Sequence, residues 1–576
     1  DDTNNVSLLN TTQTDVYYKL PPGIHENALI SNCILESHSR VYHNTVLSDT
    51  FVGVGAILAN CGSVTCGKNI KYGQLNVTVG AESGGGRRLT VSAENTMIDV
   101  CRDLGMSRQE SKPQGQMDSP FCNINIIGAH SLVRNTPTLE SVYLSPHASI
   151  VAASSVSNTT MLEYAKIENS CTVSNTLLQW NSSIINNSNV FNSLLMEEAH
   201  SGPNNLVASS VLGPDVHVSA GEVHASIIGP NTNAHHQSLV IGVLWPLGRG
   251  NVGYGANVGS NHTGRLPDQE TIAGEGIFWG LSTVIKFPVD LSFAPYSIVA
   301  AGTTVVPQRI TMPFSLIVQQ NEICNIIPGW VLSFSPYTLC RSEHKFAKRR
   351  KAKRHDFYTG WTIVRPDIVD ICIEARAALE QVQPAAVYKT NKHVRGIGAC
   401  EMSEKGRLSG IKAYTQCIQL YALRGIFDKI TKSGLSLDQF ASNMLVNSAP
   451  SRAVASAQTV CWSPLPWEQD DVSHWSHQLT VLQVEFPIGD SSVTSWLITL
   501  LQRLVRLQQD YGNRVYDCKA RDDTRGAKTI PGYTHSHVSA DNDPVVKSVF
   551  DETRDIVDGV ERILLDTAVD QTRSRL

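Results

Sequence analysis

One short pattern recurs at nearly constant spacing through the middle of the chain. "VSNTTML" begins at Val156, "VSNTLL" at Val173, "VFNSLL" at Val190, "VASSVL" at Val207 and "VHASII" at Val223, giving steps of 17, 17, 17 and 16 residues. Each copy reads aliphatic, any residue, small or Asn, small, aliphatic, aliphatic. Such a period is too short for the helical-repeat families and too long for one hairpin strand. It fits a coil of three short strands stacked on its neighbours, with backbone groups paired between successive coils at a spacing of roughly 4.8 Å. One aliphatic side chain per strand then points inward. Asn, Ser, Thr and Gly fall at the corners, where left-handed backbone and side-chain ladders suit them.

The pattern predicts a chain that is mainly β, a left-handed parallel β-helix of stacked coils of 17 to 18 residues, followed by a helical domain. A right-handed β-helix usually has longer, less regular coils, and a β-sandwich fits less well. "ISNCIL" from Ile30, "HNTVL" from His43 and "VGVGAILANCGSV" from Val52 place a first solenoid segment at residues 22–80. The glycine run and the amphipathic stretch of Met97, Ile98, Val100, Cys101 and Leu104 read as an insertion with one helix at 81–120, preceded by Ser92 and Glu94. The main solenoid occupies 121–320 and a linker with a basic run 321–365. Helical spacing then takes over in 366–576: Pro366 opens a helix carrying Ile368, Ile371, Ala375 and Leu379, and further stripes lie at Ile411–Tyr421, Val493–Leu504 and Val549–Ile563.

Charged residues make up only 17% of the chain, so much of its surface is uncharged and polar, as in "NSSIINNSNVFNS". A net charge of -5 excludes a globally basic polyanion binder and leaves such a role only to a local patch. The 13 cysteines show no CxxC pairing or zinc-site spacing, so they read as mostly buried thiols of a reducing, cytoplasmic compartment, with no metal site. The chain starts at Asp1 without methionine, which leaves room for an organellar targeting segment. No apolar run reaches the roughly 18 residues of a membrane span.

Four features that could carry chemistry gather between Gly229 and Pro288: the pair His235 and His236, the glycine-rich "GRGNVGYGANVG", the loop "SNHTGR", and "PDQE" with Asp268 and Glu270. Glycine density permits close backbone approach, by a neighbouring coil or by a ligand. The stretch "GNVGYGANVGSNHTGRLPDQE", with "GEGIFWGLSTVIKFP", "APYSIVAAGTTVVPQ" and "PFSLI", resembles the DUF4954 group of hexapeptide-repeat proteins, a group without an assigned reaction. "AESGGGRR" at Ala81 resembles a diverged Gly-Gly-Arg element of the same group. The wider hexapeptide-repeat resemblance implies a transferase-like trimer, with acyl transfer from an acyl-CoA donor to a nucleotide sugar or other small polar acceptor. In such enzymes a histidine takes a proton from the acceptor while backbone N–H groups hold the oxyanion.

On that reading His262 is the base, Asn261 orients it and Arg265 clamps an anion. His235 or His236 is the alternative base, and Asp268 and Glu270 contact substrate. The plain structural alternative is that an Asn-His at a corner hydrogen-bonds the next coil. Arg87 and Arg88, after three glycines, suggest a phosphate nest, or a flexible loop tip. No P-loop and no Rossmann-type glycine loop precedes the solenoid. The run "KFAKRRKAKR", residues 345–354, holds seven positive charges in ten residues. It reads as a solvated helix face, or as a protein- or RNA-binding patch or localisation signal. The second functional reading is therefore a non-catalytic assembly protein that uses the solenoid as a rigid scaffold.

Overall fold

A computed structural model describes residues 20–81, 86–105, 122–259, 270–355, 361–447 and 471–573. The chain divides into two compact units, one of residues 1–290, 301–307 and 350–356, the other of 291–300, 308–349 and 357–576. Residues 23–317 form a β-solenoid of about 16 turns with a repeat of about 17 residues, and a helical region follows.

The repeat copies become parallel strands in register. Ser155–Met161, Thr172–Leu178 and Asn189–Leu195 align Val156 with Val173 and Val190, and Met161 with Leu178 and Leu195. The middle residue of each strand, Asn158, Asn175 and Asn192, drops out of the pairing and takes a φ of 45°, 47° and 49°. Each seven-residue strand therefore bends over two faces. Ser149–Val151, Lys166–Glu168 and Ser183–Ile185 form the third face, stacking Ile150, Ile167 and Ile184. These columns are fully buried. Burying each aliphatic side chain is worth about 1.5–3 kcal/mol, against the entropy of ordering its coil.

One coil shows the three corners clearly: Asn169, Asn175 and Asn181 have φ of 61°, 47° and 55°. Asn is among the non-glycine residues best able to adopt this left-handed backbone. It also ladders from coil to coil, as where Asn169 Nδ2 donates to Asn186 Oδ1 at 2.9 Å. After the Asn175 corner a small hydroxyl is required. Ser193 and Ser210 each donate to a carbonyl two residues back at 2.7 Å and accept the amide of the next coil at 3.1 Å. That pair of hydrogen bonds explains the "Asn, then small" signature of the repeat.

The solenoid is interrupted at the Asn175 corner. The chain leaves after Ser63–Thr65 and resumes at Asn125–Ile127, and both strands pair with Val46–Val52 and Thr138–Leu144 on either side of the corner. The excursion holds an antiparallel hairpin of Gln74–Val79 and Arg87–Ser92, then the helix Met97–Asp103. Its first strand lies inside the segment whose spacing reads as solenoid, because buried Val77 and Val79 alternate with polar residues as a coil strand does. The helix is capped by Thr96 in a capping box with Asp99, rather than from Ser92 and Glu94.

In the second unit the hairpin Leu316–Gln320 and Ile323–Ile327 joins the strands Val387–Lys389 and Glu401–Ser403. The helices Pro366–Glu380, Glu404–Ser433, Asp471–Glu485, Val493–Thr529 and Pro544–Arg573 pack on their apolar stripes. His477 bridges three of them, Nδ1 meeting the Tyr421 hydroxyl at 2.9 Å and Nε2 meeting Asp370 Oδ1 at 2.8 Å.

On the third solenoid face His200 forms one rung, with Nδ1 2.7 Å from Ser183 Oγ and its ring 4.8 Å from that of His217. Burial, then the charges of His217, Lys351 and Lys166, push its pKa from 6.5 down to about 4. The unfolded chain therefore binds this proton more readily than the folded one, and stability is lost as pH falls from about 6.5 to about 4. Chemical denaturation across that range is expected to show a smaller acid loss for His200→Gln than for the parent chain. An identical pH profile contradicts the assignment.

Candidate functional site

A second excursion, residues 260–269, departs from the same Asn175 corner. Asn257–Val258 and Thr271–Ile272 flank it, stacking on Leu239–Ile241 and Val243–Trp245 either side of Gly242. Gly259, with a φ of 87°, turns the chain out at this point, and a Cβ there would lie 2.1 Å from Ile241 O. The hairpin of the first excursion runs along this corner. Gly73 donates its N–H to Thr160 Oγ1 at 2.9 Å, and Gly80 donates to Ala225 O at 2.7 Å. Its far end meets Glu270, just before Thr271–Ile272, where Arg87 forms a two-pronged pair, Nε–Oε1 at 2.5 Å and Nη2–Oε2 at 2.8 Å. Arg87 and Glu270, 183 positions apart, thus meet at one corner.

This geometry sorts the candidates from the sequence. Arg87 and Glu270 come together, and Arg88 is exposed as the next residue of the strand Arg87–Ser92. The Arg87 guanidinium is held by a carboxylate, so an anion bound there has to displace Glu270. Asn261, His262, Arg265 and Asp268 lie outside the described residues. His235 and His236 sit at a different corner, that of Asn169, with ring centroids 4.2 Å apart in a T-shape. His236 has a φ of 62°, and its carbonyl accepts the Gly255 N–H at 3.2 Å, a corner-to-corner bond. The histidine pair and the paired Arg87–Glu270 are not one constellation.

The glycines of "GRGNVG" answer to packing between coils. Trp245 is fully buried with Nε1 donating to Gly274 O at 2.8 Å, and a Cβ on Gly250 would lie 2.0 Å from its ring. Arg249 and Glu275 form a buried ion pair at 3.6 Å in the same coils. A pair this deep breaks at a cost of about 3–5 kcal/mol if one partner is removed. Among the described residues, no group of three or more His, Cys, Asp or Glu is placed to hold a metal ion.

The basic run, conspicuous in the sequence for its charge, falls into two parts. Its first half ends the helix Pro336–Arg349. Its second half lies as a strap along the Asn181 corner of the solenoid, held by buried side chains. Asp215 accepts the Lys351 N–H at 2.8 Å, and Glu197 accepts those of Lys353, Arg354 and His355 at 3.0, 2.8 and 3.2 Å. Gln179 Oε1 lies 2.7 Å from His355 Nε2. Ala352 and His355 are buried, while Lys351, Lys353 and Arg354 are exposed, and the Arg354 guanidinium sits 4.3 Å over the Trp180 ring. The signal was faint but present: Glu197 and Asp215 put carboxylates where a solenoid corner needs none.

Replacing Glu197 with Ala leaves three amides without their acceptor, each costing about 1–3 kcal/mol if it stays buried. Limited trypsin digestion is expected to cleave after Lys351, Lys353 or Arg354 about 10-fold faster in Glu197→Ala, through local opening of the strap. Equal cleavage of the two chains counts against the strap.

Among the described residues no helix is long and apolar enough to cross a membrane. The chain is 29% identical over 387 residues to a Treponema pallidum (strain Nichols) protein named "Uncharacterized protein", an alignment covering 63% of this chain and 53% of that one. The chain thus spans about half the length of this relative. The model of the family described as "Domain of unknown function (DUF4954)" matches residues 5–382, which take in the solenoid, both excursions and the strap. The chain belongs to the DUF4954 family.

Proposed function

We propose that this chain is a transferase-like solenoid protein whose site is the Asn175 corner between its two excursions. The reaction is acyl transfer from an acyl-CoA to a nucleotide sugar or another small polar acceptor. The observation that carries this reading is the Arg87–Glu270 pair, which joins two segments that depart from the repeat at one place on an otherwise regular solenoid. In this reading His262 takes the acceptor's proton as it attacks the thioester carbonyl, Asn261 orients the imidazole and Arg265 holds an anionic group. Asp268 and Glu270 bind acceptor hydroxyls, and Arg88 supplies the cation that Arg87, held by Glu270, does not. Assembly as a trimer and a cytoplasmic setting belong to the same proposal.

The test is transfer from acetyl-CoA to a panel of nucleotide sugars, read by mass spectrometry. His262→Ala is expected to lower turnover about 10²–10⁴-fold with acceptor affinity retained, and Arg88→Ala to weaken acceptor binding. Unchanged turnover in His262→Ala removes the base assignment.

A second reading, a scaffold that engages protein or RNA through residues 345–354, is favoured by the strap, whose pinned backbone presents Lys351, Lys353 and Arg354 outward. A stoichiometric macromolecular partner, with no small ligand seen in native mass spectra, supports the scaffold over the enzyme.

A further inference from the structure

The second unit brings the thiols of Cys324 and Cys400 into contact. Cys324 lies in the strand Ile323–Ile327 and Cys400 immediately precedes Glu401–Ser403, and these strands run parallel with Asn325 opposite Glu401. The register sets the two cysteines side by side, and the Cys400 thiol donates to Cys324 Sγ at 3.3 Å. Gln308 Oε1, 3.4 Å from Cys400 Sγ, also accepts the Ala399 N–H at 2.9 Å and fixes the Cys400 backbone beneath the pair. Cys324 is 8% exposed and Cys400 is fully buried, so a small reagent meets Cys324 first.

We propose that Cys324 and Cys400 form a reversible disulfide under peroxide, a modification site that ties the strand Ile323–Ile327 to Glu401–Ser403 across 76 positions of sequence. Cys324 sulfur attacks one peroxide oxygen. The S–O bond forms, the O–O bond breaks, and the proton shed by the thiol leaves with the second oxygen as water. Cys400 sulfur then attacks the Cys324 sulfenic acid: the S–S bond forms, the S–O bond breaks, and the hydroxyl departs with the Cys400 proton as a second water. Two thiols are oxidised and one peroxide is reduced. The electrostatics agree with this order. The hydrogen bond from Cys400 lowers the Cys324 pKa, whereas burial raises those of Cys61 and Cys340 to about 11.

The experiment treats the full chain with hydrogen peroxide under native conditions, then alkylates it in denaturant and maps peptides without reductant. The expected result is a linked peptide pair containing Cys324 and Cys400, lighter by two hydrogens than the free peptides and lost on dithiothreitol treatment. Cys400→Ser is expected to stop at the sulfenic acid, trapped on Cys324 by dimedone. The wild-type map alone decides the matter if that variant does not fold. Alkylation of both cysteines after peroxide, or a link that joins Cys324 or Cys400 to a different cysteine, overturns the proposal.

Discussion

The structure depends on backbone pairing between coils that must remain in register. Each face pairs with the coils on either side of it, so its inward positions must stay aligned from coil to coil, and the 16-residue coil keeps Val223 opposite Val207 by shortening the turn between Val218 and Glu222. The left-handed corners make this register possible. At Asn169, Asn175 and Asn181 the chain turns without losing phase, and the corner residue steps out of the pairing so that the flanking strands keep theirs. Extra chain is admitted only where the coil can close behind it. The excursion after Thr65 and that of 260–269 meet this condition at one column of corners, and the strands on either side continue in phase.

That constraint concentrates chemistry. A regular solenoid face offers a lattice of similar groups, and its polar side chains are occupied by their counterparts one coil away, as Ser183 is by His200 and Asn169 by Asn186. Distinct combinations arise where an excursion lies back along the rod. The hairpin brings Arg87 to Glu270, and the strap brings five consecutive amides, Lys351 to His355, to Asp215 and Glu197. Both contacts use charged groups at corners, and both join segments far apart in the chain.

The solenoid was legible because its period is written in residues with separate physical duties: Val156, Val173 and Val190 inside, Asn158, Asn175 and Asn192 at a bend, a small hydroxyl after each. The hairpin was not, because a two-residue alternation around Val77 and Val79 looks the same whether the strand pairs with a coil or with Arg87–Ser92. The candidate site was legible in part. "GGGRR" and "PDQE" stood out as departures from the repeat, and Arg87 and Glu270 do meet. That they share a corner, while His235 and His236 occupy another, follows from counting residues through two interruptions, which no local pattern supplies. The strap was hidden for another reason: the seven charges of 345–354 draw attention to side chains, whereas the solenoid holds that segment by its backbone amides.

The claim that two distant segments meet at one corner is tested most directly by oxidative trapping between introduced cysteines. Arg87→Cys with Glu270→Cys is predicted to cross-link in the folded chain and to lose the link in denaturant, while Arg87→Cys with His236→Cys, on the Asn169 corner, stays unlinked. Equal cross-linking of the two pairs, or none between positions 87 and 270, contradicts the account.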